Sequence, residues 1–435
     1  MPSTQATARR RAYLLVLLGA GLALAACGQA LATGPASPGD AGAAPVDPGD
    51  AGDASTLDAG DGDASTLDAG DGDAGDGDAG DGDAAFEALC QRPPGDVGVR
   101  SDACLARLDL GGKQLPYYSS HSLEVAHGAI ESLVLITHGN SRNAWDYYDL
   151  VVAAAVAREP RHTAVVAPLF QSSNATCGYD PKAPTDLYWG CSDWKEGLAA
   201  KNDPTDSYGA LDALLAAAKA AFPSLRRVTV AGYSAGGQTV QRYAAGNREH
   251  DRTPTIATRY VVASPGSYMY LDGRRVRPDA TCSSAAACAL TTASFEVPAY
   301  APGCATAEPA VVAGSDAYDA YRYGLEAREG YLAPIPDATL RAQYVARPIV
   351  YVLSEGDSAA SGARPTAYGS LDKGCAAMVQ APLGASFRLQ RGLVYHAYVT
   401  TLLGATHRRV LVPVCGHEDD CVLGAPATLD ELFGP

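Results

Sequence analysis

Short apolar, β-branched runs at 132–137, 163–168, 227–232, 259–263, 348–353 and 409–414 constrain this chain more than any other feature. A run without a polar face forms a strand that must be covered on both sides. Longer helical stretches fall between several of them. Residues 208–221 put Leu211, Leu214, Leu215 and Ala218 on one face and stop short of Pro223. The stretch 236–245 is expected to be a second helix and 393–403 a last one. Buried strands alternating with helices predict an α/β fold, a doubly wound and mostly parallel sheet. The rhythm breaks near 170–205 and again over 267–346, where Cys, Pro and Tyr accumulate. The longer break is expected to be an insertion over the carboxyl ends of the strands, where open α/β sheets bind ligands.

Charge divides the chain differently. The net value of −16 combines +3 in residues 1–27, −14 from fourteen Asp in residues 28–84, and −5 in the rest. That balance excludes a basic nucleic-acid binder, and 47% apolar residues exclude a wholly disordered chain. Arg9-Arg10-Arg11 precede an apolar run from Ala12 to Ala26, too short to span a bilayer comfortably but suited to a signal peptide. Leu24-Ala25-Ala26-Cys27-Gly28 resembles the lipobox of bacterial lipoproteins, which implies removal of residues 1–26 and acylation of Cys27. The alternative is an ordinary secretory cut near Ala26, and Arg10-Arg11-Ala12-Tyr13-Leu14 loosely resembles a twin-arginine signal. Residues 28–84 are mostly Ala, Gly, Asp, Pro, Ser and Thr, with the ten residues from Ser55 repeated identically from Ser65. Little there can be buried to offset chain entropy, so a self-repelling tether is expected. Its Asp-x-Asp spacing is similar to calcium loops, but it lacks their closing Glu and flanking elements. The expectation is a catalytic body, 85–435, exported and anchored to a bacterial membrane through lipid at Cys27.

Ten cysteines remain after Cys27: 90, 104, 177, 191, 282, 288, 304, 375, 415 and 421. An even number in an exported chain suggests disulfides. Proximity in sequence proposes Cys90–Cys104, Cys177–Cys191 and Cys415–Cys421. Cys415-Gly416-His417 with Cys421 has a rival reading as metal ligands, without a second cluster to complete a site.

Gly232-Tyr233-Ser234-Ala235-Gly236-Gly237 joins a predicted strand to a predicted helix, the setting of a nucleophile elbow. The tight turn exposes Ser234, and small residues at 232, 235 and 236 let strand and helix approach. At this point the chain, from about residue 110 to 435, resembles the α/β-hydrolase superfamily. The resemblance implies that fold, with a disulfide-bearing cap insertion. It also implies an oxyanion-hole loop after an earlier strand, matched by His138-Gly139-Asn140. The backbone N–H groups of Asn140 and Ala235 would receive the oxyanion, and His138 would buttress the loop. The family order of nucleophile, acid and histidine selects Asp357 after 348–353 and His417 after 409–414. Glu355 competes with Asp357, whereas His396 and His407 are poorly placed. Several stretches, among them 236–243, 263–268 and 321–325, are similar to a group of exported bacterial and fungal hydrolases. Polyester depolymerases and feruloyl-esterase-like enzymes look more distant, and no polymer-binding module is evident.

Ser234, Asp357 and His417 thus predict a serine hydrolase acting on a small-molecule or polymer ester, with no cofactor and no metal. Amide or peptide hydrolysis by the same triad is one alternative, and a non-catalytic binding protein on the same scaffold is another. Trp145, Tyr147, Tyr148, Tyr188, Trp189, Trp194, Tyr268 and Tyr270 are either a substrate wall or packing for the insertions.

Overall fold

The computed structural model describes residue 90, then 102–158, 162–172, 177, 183–298, 318–358, 371–372, 374–382 and 386–434. The expected signal segment 1–26, Cys27, the tether 27–84, Cys304 and the Cys375 side chain lie outside the described residues.

All six apolar runs are strands. They are β3 (Ser132–Thr137), β4 (Thr163–Pro168), β5 (Arg227–Tyr233), β6 (Ala257–Ala263), β9 (Ile349–Ser354) and β10 (Arg408–Val412). Before them come β1 (Leu105–Asp109) and β2 (Gln114–Ser119), which the sequence reading did not mark. The eight form one sheet in the order β1-β2-β4-β3-β5-β6-β9-β10. The six expected strands are mutually parallel, and β1 and β2 add an antiparallel edge. Successive residues of the central strands enter opposite cores. Leu133, Leu135, Val228, Val230, Tyr260 and Val262 pack on one side. Val134, Ile136, Ala231, Val261 and Ala263 pack on the other. That alternation is the physical content of a doubly covered sheet.

The covering helices are α1 (Ala144–Arg158), α2 (Ser207–Ala221), α3 (Ala235–Gly246), α4 (Asp337–Ala346), α5 (Arg388–Ala397) and α6 (Pro426–Phe433). Asp206 caps α2 by accepting from the Gly209 N–H, and Leu211, Leu214, Leu215 and Ala218 are buried as expected. Two expectations need correction. The helix expected to be last, 393–403, begins five residues earlier and widens after Ala397 into an i→i+5 turn over Tyr398–Leu402, and it is not the last, because α6 follows β10. The stretch 267–346 is not all insertion, because its last ten residues are α4, a helix that packs on α3 and leads into β9. The irregular part contains the short hairpin of β7 (Arg275–Val276) with β8 (Phe295–Glu296), and the Cys282–Cys288 disulfide. Cys90–Cys104, Cys177–Cys191 and Cys415–Cys421 are also paired, as sequence proximity proposed. No helix among the described residues is long and apolar enough to cross a membrane.

Strand order positions the site. From β3 the chain crosses to β4 on one side and then to β5 on the other, so the order reverses beside β3. Ligands bind in the crevice such a reversal leaves at the carboxyl ends. Thr137 pairs with Gly232, which sets His138-Gly139-Asn140 beside Tyr233-Ser234-Ala235. Val412 pairs with Ser354, which sets the loop before Asp357 beside the loop before His417.

Candidate active site

Ser234 stands between β5 and α3 with φ 56 and ψ −115. A positive φ in a residue bearing a Cβ is strained and persists only where its surroundings impose it. Here the Ser234 N–H donates to the Ala263 carbonyl and the Ser234 carbonyl accepts from the Gln238 N–H, at 2.9 and 3.1 Å. All twelve residues of α3 are buried, so the helix cannot back away. Gly236 is obligatory by close approach: a Cβ there would lie 2.2 Å from the Thr137 carbonyl oxygen and 2.6 Å from that of His138.

Asp357 and His417 reach the same place from two loops bound to one another. The Glu355 N–H donates to the Val412 carbonyl and the Gly356 N–H to the Cys415 carbonyl. The Ser354 hydroxyl donates to the same Cys415 carbonyl. A Cβ on Gly356 would lie 2.3 Å from that oxygen, so this approach also requires glycine. The Cys415–Cys421 disulfide closes the loop that carries His417, which uses the two sulfurs the metal reading needed. The His417 Nε2 lies 2.9 Å from the Ser234 Oγ, and its Nδ1 lies 2.7 Å from an Asp357 carboxylate oxygen. Asp357 is buried, whereas its competitor Glu355 is exposed. His407 bonds the Tyr351 hydroxyl and the Tyr344 carbonyl, and His396 bonds the His407 carbonyl.

Burial holds the His417 imidazole below its ordinary pKa; the Asp357 hydrogen bond opposes this, and the nearby Arg388 charge reinforces it. The ring is therefore neutral at pH 7 and able to accept a proton. Its face stacks on Tyr233, with centroids 4.9 Å apart. Arg388, at the start of α5, is buried with its guanidinium 3.5 Å from Asp357, and sequence reasoning missed it. No local signal marked it, since its neighbours three and four positions on are Arg391 and Gly392.

His138 is a prop. Its Nδ1 bonds the Gly139 carbonyl and its Nε2 accepts from the Phe170 N–H, at 2.8 and 3.1 Å. Burial pushes its pKa down to about 3, so it stays neutral. Arg142, also missed, has φ 57 and is fully buried. It donates to the carbonyls of Phe170, Gln171, Cys177, Gly190 and Cys191, binding the His-Gly loop to the first insertion.

A cavity of about 220 Å³ opens at Ser234, lined by Asn140, Ala235, Gln238, Gly266 and Leu371 together with Lys195, Arg322 and Asp372. Ala235 is the first residue of α3, a position whose N–H has no partner within the helix. Asn140 faces the same space from the neighbouring loop. The lining corrects the aromatic-wall reading. Tyr147, Tyr148, Trp189, Trp194, Tyr268 and Tyr270 are all buried, and none of the eight aromatics lines the cavity. Tyr147 and Tyr148 pack α1 against the sheet, and the others pack the insertions, as in the stack of Tyr268 on Tyr395 and of Phe170 on Trp194.

No family model matches the chain, and no curated protein does. Among solved structures, it is similar to poly(aspartic acid) hydrolase-1 from Sphingomonas sp. KT-1 at 18% identity and a TM-score of 0.45. The match covers 74% of this chain and 95% of that one. The poly(3-hydroxybutyrate) depolymerase of Bordetella parapertussis is similar at 18% identity and a TM-score of 0.45, over 76% and 94%. A serine hydrolase without a lid from Xanthomonas campestris is similar at 12% identity and a TM-score of 0.34, over 75% and 92%. Independently of those likenesses, the strand order, the elbow between β5 and α3, and the paired loops after β9 and β10 give this chain the α/β-hydrolase fold.

Proposed function

We propose that this chain is a serine hydrolase that cleaves carboxylic esters through an acyl-enzyme. The observation that supports this reading is the continuous hydrogen-bonded relay from Ser234 through His417 to Asp357, with steps of 2.9 and 2.7 Å. In the first half-reaction the Ser234 Oγ attacks the ester carbonyl while His417 Nε2 takes its proton. The N–H groups of Asn140 and Ala235 stabilise the oxyanion, each worth ~10²–10³ in rate. His417 then returns the proton to the departing alcohol, and Asp357 stabilises the imidazolium in between. Water, activated by the same histidine, hydrolyses the acyl-enzyme. In purified protein, Ser234→Ala is expected to lower hydrolysis of short p-nitrophenyl esters by about 10⁶. A fluorophosphonate probe is expected to label Ser234 in the native chain; unchanged ester hydrolysis in the variant, or no labelling, sinks the assignment.

The body is further proposed to be exported and held to a bacterial membrane through lipid at Cys27, with 27–84 as its spacer. The support is the basic, apolar, small-residue and Cys succession of residues 9–28. Acyl chains contribute ~0.8 kcal/mol per buried methylene, and more than one chain holds firmly. Radiolabelled palmitate should enter the native chain, and persistence of the label in Cys27→Ala would refute this attachment.

A further inference from the structure

The cavity at Ser234 is unlike the apolar slot that a neutral acyl chain would favour. Two cations, Lys195 and Arg322, and one carboxylate, Asp372, face it together with Gln238 and Asn140. Their hydrogen bonds set these charged groups apart. Asp372 is already satisfied: it accepts from the Tyr323 hydroxyl at 2.6 Å, the Ser267 hydroxyl at 3.5 Å and the Gly374 N–H at 3.2 Å. Arg322 spends its guanidinium on Glu196 at 2.7 Å and on the Tyr323 hydroxyl at 3.0 Å. The Lys195 ammonium has neither a hydrogen bond nor an ion pair among the described residues.

Its backbone is nevertheless fixed. The Lys195 carbonyl accepts from the Tyr208 hydroxyl at 2.8 Å and from the Arg242 guanidinium at 3.2 Å. Arg242 is fully buried, and its Nη2 has no partner among the described residues. The surroundings of Lys195 therefore hold Arg242 from α3, Arg322 and Glu196 from the insertions, and Asp372, three cations with itself against two carboxylates. Burial and the neighbouring Arg242 bring the Lys195 pKa down to about 8, partly opposed by Glu196. An acceptor anion would relieve that cost.

We propose that Lys195 binds a free carboxylate of the substrate, so that the preferred esters carry a carboxylate a few bonds from the scissile bond. This rests on the serine hydrolase reading above and names its substrate class. Lys195 acts here as a specificity determinant, while the acyl transfer remains with Ser234 and His417.

The test compares the p-nitrophenyl half-ester of adipic acid with p-nitrophenyl hexanoate, for a carboxylate on the acyl side. The butanoate ester of 3-hydroxypropanoate is compared with propyl butanoate, for one on the alcohol side. At pH 7 the native enzyme should show a kcat/KM at least about tenfold higher for the anionic member of one pair, as expected for a charged hydrogen bond. Lys195→Gln should collapse that ratio toward one, and in the native enzyme the ratio should fall as pH rises through 8. A merely structural role for Lys195 would move both esters together and leave the ratio intact, which overturns the proposal. So does turnover of the neutral esters with no anionic preference in either pair, which leaves the hydrolase reading standing. If no ester is cleaved, that reading fails, and binding decides the carboxylate site alone. Calorimetric titration of Ser234→Ala with monoethyl adipate should show binding at least about tenfold weaker when Lys195→Gln is added. Equal binding with and without the lysine, or none in either, overturns it.

Discussion

Around Ser234 the chain is held by backbone pressed against backbone alone, whereas around His417 one such contact, at Gly356, is joined by side chains and a disulfide. The elbow has no spare volume: α3 is wholly buried and Gly236 lies against the end of β3. The acid–histidine side depends on the Ser354 hydroxyl, the Cys415–Cys421 bond and a buried Arg388 beside Asp357. Backbone packing leaves a residue one position, while side-chain contacts can be loosened one at a time. Errors on the first side should therefore appear as failure to fold, and errors on the second as altered chemistry in a folded protein.

The largest effect expected from this contrast is that of Gly236→Ala. One added methyl must displace the Thr137 and His138 carbonyls, and Thr137 ends a strand paired with β5. A loss of about 3 kcal/mol or more is expected, read as a lowered denaturation midpoint or as insoluble protein. A stable, active Gly236→Ala would break the comparison. The double variant Cys415→Ser, Cys421→Ser removes the restraint on the His417 loop. For a loop this short it should cost about 2 kcal/mol of stability and lower kcat more than it raises KM. Circular dichroism and steady-state kinetics on one preparation separate those outcomes.

The smallest effect is a shift in pH dependence. In the proposed mechanism His417 must be neutral to accept the Ser234 proton, so kcat/KM is expected to fall as pH drops through its pKa. Arg388 helps to hold that pKa down. In Arg388→Gln the repulsion is gone, the pKa rises, and the acid limb moves to higher pH. An acid limb that stays in place, or moves lower, removes Arg388 from this role.

Much of the site was legible before any coordinates. Ser234, Asp357 and His417 each follow an apolar run, and the order of runs along the chain is the order in which the loops are made. Glu355 was a fair rival on sequence because one residue decides which way a side chain points; the turn after β9 buries Asp357 and exposes Glu355. Helix α1 escaped notice because its buried residues, including Tyr147, Tyr148, Asp149, Val151, Val152, Ala153 and Ala155, are nearly contiguous and give no 3.6-residue stripe. The edge strands β1 and β2 mix polar and apolar residues, and Arg107 of β1 pairs with Asp186 seventy-nine residues away.

What the sequence determined by itself was the alternation of covered strands with helices and the local turns that carry the chemistry. These are nearest-neighbour properties, set by β-branching, by small residues and by the glycines of one short motif. Only the tertiary structure decided the character of the cavity. Lys195, Arg322 and Asp372 come from three separate stretches with no shared motif, and they meet because both insertions and the segment after β9 return to the carboxyl ends of the sheet. Whether a lysine carries a free or a paired ammonium depends on what folds against it, and no local sequence signal records that.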